Sequence, residues 1–290
     1  MEKALEIIVN GLSVGGIYAL IALGLVLIYK STGVINFAQG ELSMIGAYFC
    51  FALAVHYNMP YILALFLSLV GCALLGLIIE YLILRHMVGE PVFSLIMVTV
   101  GMASIITSLV GVIWGHDPHS IPSPFSGKTF TLKTIVISQI NAYTIGVSLV
   151  LFILFFIFFK KSSLGIGMRA TSEDQDTAQL MGYNVRSVFG MSWAISGVVA
   201  AVGGIFMAEQ TMVYNGMGHI GLRAFGAAIL GGMDSLGGSI LAGFLIGLIE
   251  SIAGVFLGGE VKEVVSFAVL LLVLMIWPFG FFGTKDIERV

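Results

Sequence analysis

Charge is what this sequence has least of. Lys, Arg, Asp and Glu make up 10% of its 290 residues, hydrophobic residues 58%, and the formal net charge is -3. Soluble domains carry about 25% charged and 45–50% apolar residues, so a water-soluble globule is excluded. So small a net charge gives no basic field for nucleic acid. Cysteine is nearly absent: Cys50 and Cys72 are the 2 present, both inside apolar stretches, which favours inert packing over a disulfide. No nucleotide-binding loop is found. Gly127-Lys128-Thr129 resembles the tail of one, but Pro122 stands where the leading glycine is required. No serine or cysteine sits in a nucleophile context, and His116-Asp117-Pro118-His119 in a Pro-rich loop is a weak metal pattern. Nothing argues for an enzyme, a metal centre or a bound cofactor, so any ATP-driven cycle needs another chain.

What is present is a succession of long apolar runs. A bilayer core about 30 Å thick needs roughly 20 apolar residues in helix. Such runs are Leu5–Tyr29, Val34–Val55, Tyr61–Leu84, Val92–Trp114, Tyr143–Phe159, Val188–Met212, Ser239–Leu257 and Val264–Trp277. The first is too long for a signal-peptide core and lacks a small-residue cleavage site, so it is read as a retained span. Leu222–Gly232 is too brief to cross and fits a half-helix that breaks at Gly231-Gly232. The expected fold is an all-α polytopic membrane helical bundle, about eight transmembrane helices plus one re-entrant half-helix, forming a single domain over residues 1–290. Continuous apolarity without alternation excludes barrel strands. The loops are too short for a second folded domain.

Orientation follows from Lys and Arg, which concentrate in cytoplasmic loops. Segment 160–187 carries Lys160, Lys161, Arg169 and Arg186 and is placed in the cytoplasm, with Lys30 and Arg85. Gly115–Asn141 is then external despite Lys128 and Lys133. Lys285 and Arg289 favour a cytoplasmic tail, which leaves the N-terminus external.

Polar residues interrupt the pattern in two places. After the first span comes Asn36-Phe37-Ala38-Gln39-Gly40-Glu41, with Gly33 and Gly40 permitting a turn or broken helix. Asn36, Gln39 and Glu41 either line a pathway or gate, or mark an interface where Glu41 complements a helix start. The second place is Ala228 to Gly238, where Gly231, Gly232, Gly237, Gly238 and Asp234 separate the short run from the next span. A discontinuous helix there would expose half-helix ends to solute or ions; a plain loop is the alternative. Among other polar residues within spans, Glu80 and Glu209 lie near span ends and are expected to be solvated. Glu250, beside Ser251, either lines a cavity or bonds a neighbouring helix. Ser104, Thr107 and Ser108 are expected to bond back to their own helix. Gly11 with Gly15, and Ser239, Gly243, Gly247 and Ser251, form small-residue stripes that let helices approach closely. No inverted repeat is evident in the residues, which counts against an ion-coupled secondary transporter built around Glu250 or Asp234.

Within the cytoplasmic loop, Ser172 offers a cap, acids follow, and Ala178, Leu180 and Met181 precede Gly182, as in a short amphipathic helix with a stop signal. Such a helix lies on the membrane surface or docks into a groove on a partner.

With these residues in view, the chain resembles the permeases of branched-chain amino-acid ABC importers, the LivH type, over nearly its whole length. The resemblance is carried by Gly16-Ile17-Tyr18-Ala19-Leu20, Ile35 to Glu41, Gly167-Met168-Arg169-Ala170, Ala178, Gly182, Leu230-Gly231-Gly232 and Trp277-Pro278-Phe279-Gly280-Phe281-Phe282-Gly283. Trp277-Pro278 departs from relatives that often carry Arg-Pro. The resemblance implies a multi-pass protein of the bacterial inner membrane. It further implies a second related permease or a copy of this chain, two cytoplasmic ATPases that use ATP, and an external substrate-binding protein. Arg169, Glu173, Asp174, Ala178 and Gly182 would couple to the ATPases. Asn36, Gln39, Glu41, Gly231, Gly232 and Glu250 would form the pathway or gate. Related permeases also resemble carriers of urea, amides and other small organic solutes.

Overall fold

The computed structural model describes residues 2–87, 90–125, 127–132, 135–259 and 261–283. Lys133, Lys285 and Arg289, used above for orientation, lie outside them. In chain order the helices are α1 (Glu2–Thr32), α2 (Gln39–Phe51, continued by a π turn at Ala52–His56), α3 (Tyr61–Leu82), α4 (Val92–Trp114), α5 (Gln139–Lys161), α6 (Ser163–Glu173) and α7 (Gln175–Leu180). They continue as α8 (Val185–Gln210), α9 (Ile220–Gly231), α10 (Leu236–Phe256) and α11 (Lys262–Ile276). Strands β1 (Thr129–Leu132) and β2 (Ile135–Ser138) pair antiparallel between α4 and α5. The all-α polytopic bundle expected from the sequence is therefore present, with this hairpin as its addition.

Six helices among the described residues are long and apolar enough to cross a membrane: α1, α3, α4, α5, α8 and α10. The expected eight spans correspond to these six and two shorter helices, α2 and α11. The second run begins later than its apolar composition suggests. Gly33 takes φ +70°, residues 34–36 have no regular structure, and a turn at residues 37–38 leads into α2 at Gln39. Ser31 and Thr32 hydroxyls bond back to the Leu27 and Ile28 carbonyls (both 2.7 Å), so α1 ends against its own side chains.

Burial separates an inner from an outer layer. α1 is apolar on every side and runs through the centre, with residues 15–28 all buried. α3 buries one stripe, Ala64, Ser68, Cys72 and Gly76, and exposes Ile62, Phe66 and Leu74 to the surroundings. An exposed apolar face of this kind belongs against lipid in a membrane protein.

Small residues set the inner contacts. The stripe Gly243, Gly247 and Ser251 of α10 packs on Gly11, Gly15 and Ala19 of α1; a Cβ added at Gly243 would come within 2.6 Å of the Ala19 Cα. These contacts run antiparallel, Gly11 facing Leu248 and Ala19 facing Gly243. α3 meets α8 in the same manner, Cys72 facing Gly197 and Gly76 facing Trp193.

That correspondence extends further. α1 packs on α10 as α8 packs on α3, α1 on α9 as α8 on α2, and α2 on α4 as α9 on α11. α1 and α8 themselves run antiparallel, with Ser13 beside Gln210 and Gly24 beside Ser196. The units α1–α4 and α8–α11 thus form an inverted repeat. The sequence conceals it because the packing needs only small residues at the crossings, and many residue pairs satisfy that.

Candidate functional site

Both repeats contain a broken helix, and the two breaks meet. Gln39, the first residue of α2, has its amide beside the Ile21 carbonyl at 3.5 Å. At 1.5 Å per residue, Ile21 lies about 16 Å along α1 from its end at Thr32. α2 therefore starts inside the bundle, and segment 34–37 enters it without helical hydrogen bonds. Side chains supply the missing partners. Asn36 Oδ1 accepts from the Ala38 amide at 3.0 Å, and Asn36 Nδ2 donates to Gln39 Oε1 at 3.0 Å. Ser196 of α8 donates to the same Gln39 oxygen at 3.0 Å. Thr99 of α4 accepts from the Phe37 amide at 3.4 Å and donates to the Ile35 carbonyl at 3.3 Å. Asn36 and Gln39 are thus buried to support the break, a requirement set by backbone polar groups without helical partners.

The second break follows α8. Thr211 donates back to the Met207 carbonyl at 2.9 Å, and the chain then pairs with the 115–138 loop through His119 and Val213, 2.8 Å in each direction. A 3-10 turn at Met217–His219 leads into α9, whose first turn lies against that of α2. A Cβ at Gly221 would stand 2.6 Å from the Gly40 Cα, so only glycine admits the crossing on both sides. Glu41 enters here: its carboxylate lies beside Gly218, at the entrance to α9, where the helix dipole favours negative charge. It belongs to the first turn of α2 and also lines a cavity of about 120 Å³ with Asn36, Gln39, His219 and Leu222.

α9 ends as the sequence indicates. Gly231 is its last residue, Gly232 takes φ +101°, and Lys30 donates to the Asp234 carbonyl at 2.9 Å, tying the turn to the end of α1. Gly231 and Gly232 act in close packing, against Gly238 and Gly283, and neither lines the cavities at the crossing.

Arg223, the neighbour of Leu222 on α9, borders a much larger cavity of about 670 Å³. At its base, Tyr18 donates to Glu250 Oε2 at 2.6 Å, Ser266 donates to Glu250 Oε1 at 2.9 Å, and Arg223 donates to the Tyr18 oxygen at 3.0 Å. The Arg223 and Glu250 charges stand 3.9 Å apart. Glu250 therefore both lines a cavity and bonds neighbouring helices. Tyr18, Arg223 and Ser266 escaped sequence reasoning as site residues; Arg223 sits alone among apolar residues of a short run, which was the available signal. Glu80 and Glu209 correct the expectation of solvation. Glu80 is 2% exposed and paired with Arg85 at 3.1 Å, and both Glu209 oxygens are buried. The span-end position is real, but Glu80 is held by Arg85, and Glu209 lies against Tyr61 and Ser123 at the wall of the larger cavity.

The end carrying Lys30, Arg85, Lys160, Arg169 and Arg186 is one face of the molecule, since α6 packs on α1 and α5 and Arg85, Arg186 and Gln175 share a cleft. Segment 160–187 differs from expectation in its start signal. Ser162 caps α6, accepting from Gly165 N at 2.9 Å, so Ser172 falls inside that helix; Asp174 caps α7, accepting from Thr177 N at 2.7 Å. That bond holds the exposed Asp174 carboxyl below the usual carboxylate range. Gly182 takes φ +89° and closes the turn. Arg169 is turned to the Phe159 and Lys160 carbonyls at the end of α5, Ala178 is buried, and Glu173 and Asp174 are exposed. The outermost side chains are instead Leu180 and Met181, 88% and 76% exposed.

Comparison with known proteins shows the family and the fold. Residues 7–274 match the family described as "Branched-chain amino acid transport system / permease component". The chain is 31% identical to the high-affinity branched-chain amino acid transport system permease protein BraD of Pseudomonas aeruginosa, over 99% of this chain and 98% of the relative. It is 32% identical to the corresponding permease protein LivH of Escherichia coli K12, over 97% and 96%. A galactofuranose transporter permease of Escherichia coli K12, YtfT, is 26% identical over 89% of this chain and 75% of its own. The fold is shared with a chain of PsaBC from Streptococcus pneumoniae at a TM-score of 0.51 and 16% identity, covering 91% of this chain and 90% of that one. With a family match over residues 7–274 and relatives above 30% identity joined to a polytopic helical bundle, the chain belongs to the branched-chain amino acid transport system permease family.

Proposed function

We propose that this chain is a membrane-spanning permease subunit of an ATP-driven importer of branched-chain amino acids in the bacterial inner membrane. The observation that carries the mechanism is the crossing of two half-helix starts inside the bundle at Gly40 and Gly221. Half-helix ends meeting between inverted repeats give a solute polar partners at mid-depth and a place about which the repeats rock. Asn36, Gln39 and Glu41 form the gate region, with Asn36 and Gln39 holding the break and Glu41 facing the cavity. Gly231 and Gly232 set the close turn that lets α9 end, and Glu250 belongs to the larger cavity.

The chain acts as one transmembrane unit. Its segment 160–187 meets two cytoplasmic ATPases, which bind and hydrolyse the ATP. Leu180 and Met181 supply the apolar contact, Glu173 and Asp174 its polar rim, and Arg169, Ala178 and Gly182 hold the loop in shape. A second related permease, or another copy of this chain, completes the pathway, and an external binding protein delivers the solute.

The test is a mild-detergent purification from native membranes, followed by reconstitution with ATP inside or outside the vesicles. Recovery of an ATPase and a second permease, with leucine uptake that depends on ATP and on the binding protein, is the expected result. Uptake by the chain alone under an ion gradient would overturn it.

A further inference from the structure

We propose that the groove between α3 and α8 at the basic end of the bundle is a binding site for an anionic phospholipid, its acyl chain lying along α3 and its phosphate held between Arg85 and Arg186. The groove shares no lining residue with either cavity near the crossing, so the site does not depend on which solute the chain carries.

The groove encloses about 450 Å³ and is walled mostly by apolar side chains. Leu74, Ile78, Tyr81 and Leu82 of α3 form one side, and each is half exposed or more. Gly190 and Met191 of α8 form the other. α8 is otherwise an inner helix, and Gly190 is what opens it here. A Cβ at that position would already stand 3.3 Å from Leu77 and 3.5 Å from Glu80. From Leu74 to Leu82 the helix rises about 12 Å. That approaches half of a bilayer core about 30 Å thick. An apolar channel nearly one leaflet deep that ends at two arginines has the layout of a lipid, with its tail in hydrocarbon and its headgroup at the interface.

Charge selects the kind of lipid. The polar end of the groove carries Arg85, Arg186 and Glu80. Glu80 is buried and bonded to Arg85 at 3.1 and 3.4 Å, and the Arg85 guanidinium also lies over the Tyr81 ring. That pair is neutral as it stands. The Arg186 guanidinium is exposed and forms no ion pair among the described residues, so the groove ends with one positive charge in excess. Arg186 also stands in the first turn of α8, where the helix dipole disfavours a cation. The cleft adjoining the groove adds His86 and Asp176 to the same three groups. Asp176 is exposed on α7 and does not pair with Arg186, so water screens it. A phosphate diester between the two guanidiniums supplies the missing negative charge through charge-assisted hydrogen bonds. A zwitterionic headgroup would bring a second cation to an end that already has one too many. Arginines at the cytoplasmic interface favour anionic lipid for the same reason. Gln175 of α7 lines the adjoining cleft, so the headgroup sits where α7 meets the bundle.

The test uses the full chain in its native assembly, placed in nanodiscs of phosphatidylcholine with a trace of phosphatidylglycerol that carries a photoreactive diazirine on one acyl chain. After irradiation, labelled peptides are mapped by mass spectrometry. Labelling should concentrate on residues 74–82 and 190–191 and fall several-fold when unlabelled phosphatidylglycerol is added. A phosphatidylcholine probe with the same diazirine should label the groove no more than the exposed face of α4 around Ile105 and Val112. Arg186→Gln should lower groove labelling by phosphatidylglycerol several-fold while α4 labelling holds, which shows that the fold is intact. Arg186→Lys should keep most of it, and neither variant touches the Glu80–Arg85 pair. Equal groove labelling by the two probes, or labelling that survives Arg186→Gln, would overturn the site. So would displacement by inorganic phosphate alone, or an unlabelled groove beside a labelled α4, the result if another subunit covers it.

Discussion

The two broken helices have the same geometry and unlike chemistry. The break before α2 is held by amide and hydroxyl side chains, Asn36, Gln39, Ser196 and Thr99, which replace the missing backbone hydrogen bonds. The break before α9 is held by backbone pairing, His119 with Val213, and by turns through Gly216 and Gly218. A buried backbone must find partners either way. Where no loop is within reach, side chains supply them; where an outer loop folds over the break, the main chain suffices. The first break is therefore readable as a polar interruption, and the second mainly as a shortage of length.

That contrast can be broken experimentally. The largest effect is expected where the two breaks share one contact. Gly40→Val or Gly221→Val forces side-chain atoms into the facing backbone; overpacking costs about 1–3 kcal/mol and often more when only backbone can move. Both should lose folded protein on size-exclusion chromatography and all uptake; a wild-type profile and rate for either would remove the crossing from the mechanism. Gln39→Leu should come next, since it strands the buried Asn36 and Ser196 donors at about 1–3 kcal/mol per orphaned group. A polar-to-apolar change in the second break, His219→Leu, should cost less than 1 kcal/mol because the main chain holds that turn. Equal shifts in thermal midpoint would erase the distinction between the breaks.

Smaller effects separate gate from coupling. Gly182→Asp should abolish uptake while leaving the protein inserted, because Asp at φ +89° strains the turn that presents Leu180 and Met181. Normal uptake at normal membrane levels would exclude that segment from coupling. Glu41→Ala should lower uptake with little change in stability; unchanged kinetics would leave Glu41 only its place at a helix start. The smallest effect is Asp174→Ala, which removes the cap of α7 and is read as faster amide exchange at Thr177. Its carboxyl is held below the usual range, so the capping contribution is full above the ordinary value of about 3.9 and is lost as pH falls through the lowered one. Near neutral pH the cap should show no pH dependence.

Much of this was legible along the chain, and the misses have physical causes. Apolar runs located the helices because a bilayer imposes length and apolarity on each crossing. The stop at Gly231-Gly232 and the turn at Gly182 were visible because a chain reversal favours glycine. The start of α2 was misplaced because Val34 to Ala38 is mostly apolar, and composition does not reveal whether backbone bonds run along the chain or to side chains. Glu80 and Glu209 were misjudged for a related reason: closeness to a span end is a one-dimensional measure, while burial depends on which residues lie against it. Ser172 lost the capping role to Asp174 because Ser162 begins α6 earlier.

The sequence by itself determined that this is a helical membrane protein, where its helices lie, which end is basic, and that its first break is polar. Those properties depend on residue type and spacing, which the solvent reads directly. Only the tertiary structure decided that α1–α4 and α8–α11 are inverted copies, that Gly40 and Gly221 meet, and that Tyr18, Arg223 and Glu250 converge on one cavity. Each of these joins residues far apart in the chain, and their meeting is set by how antiparallel helices with small-residue faces pack.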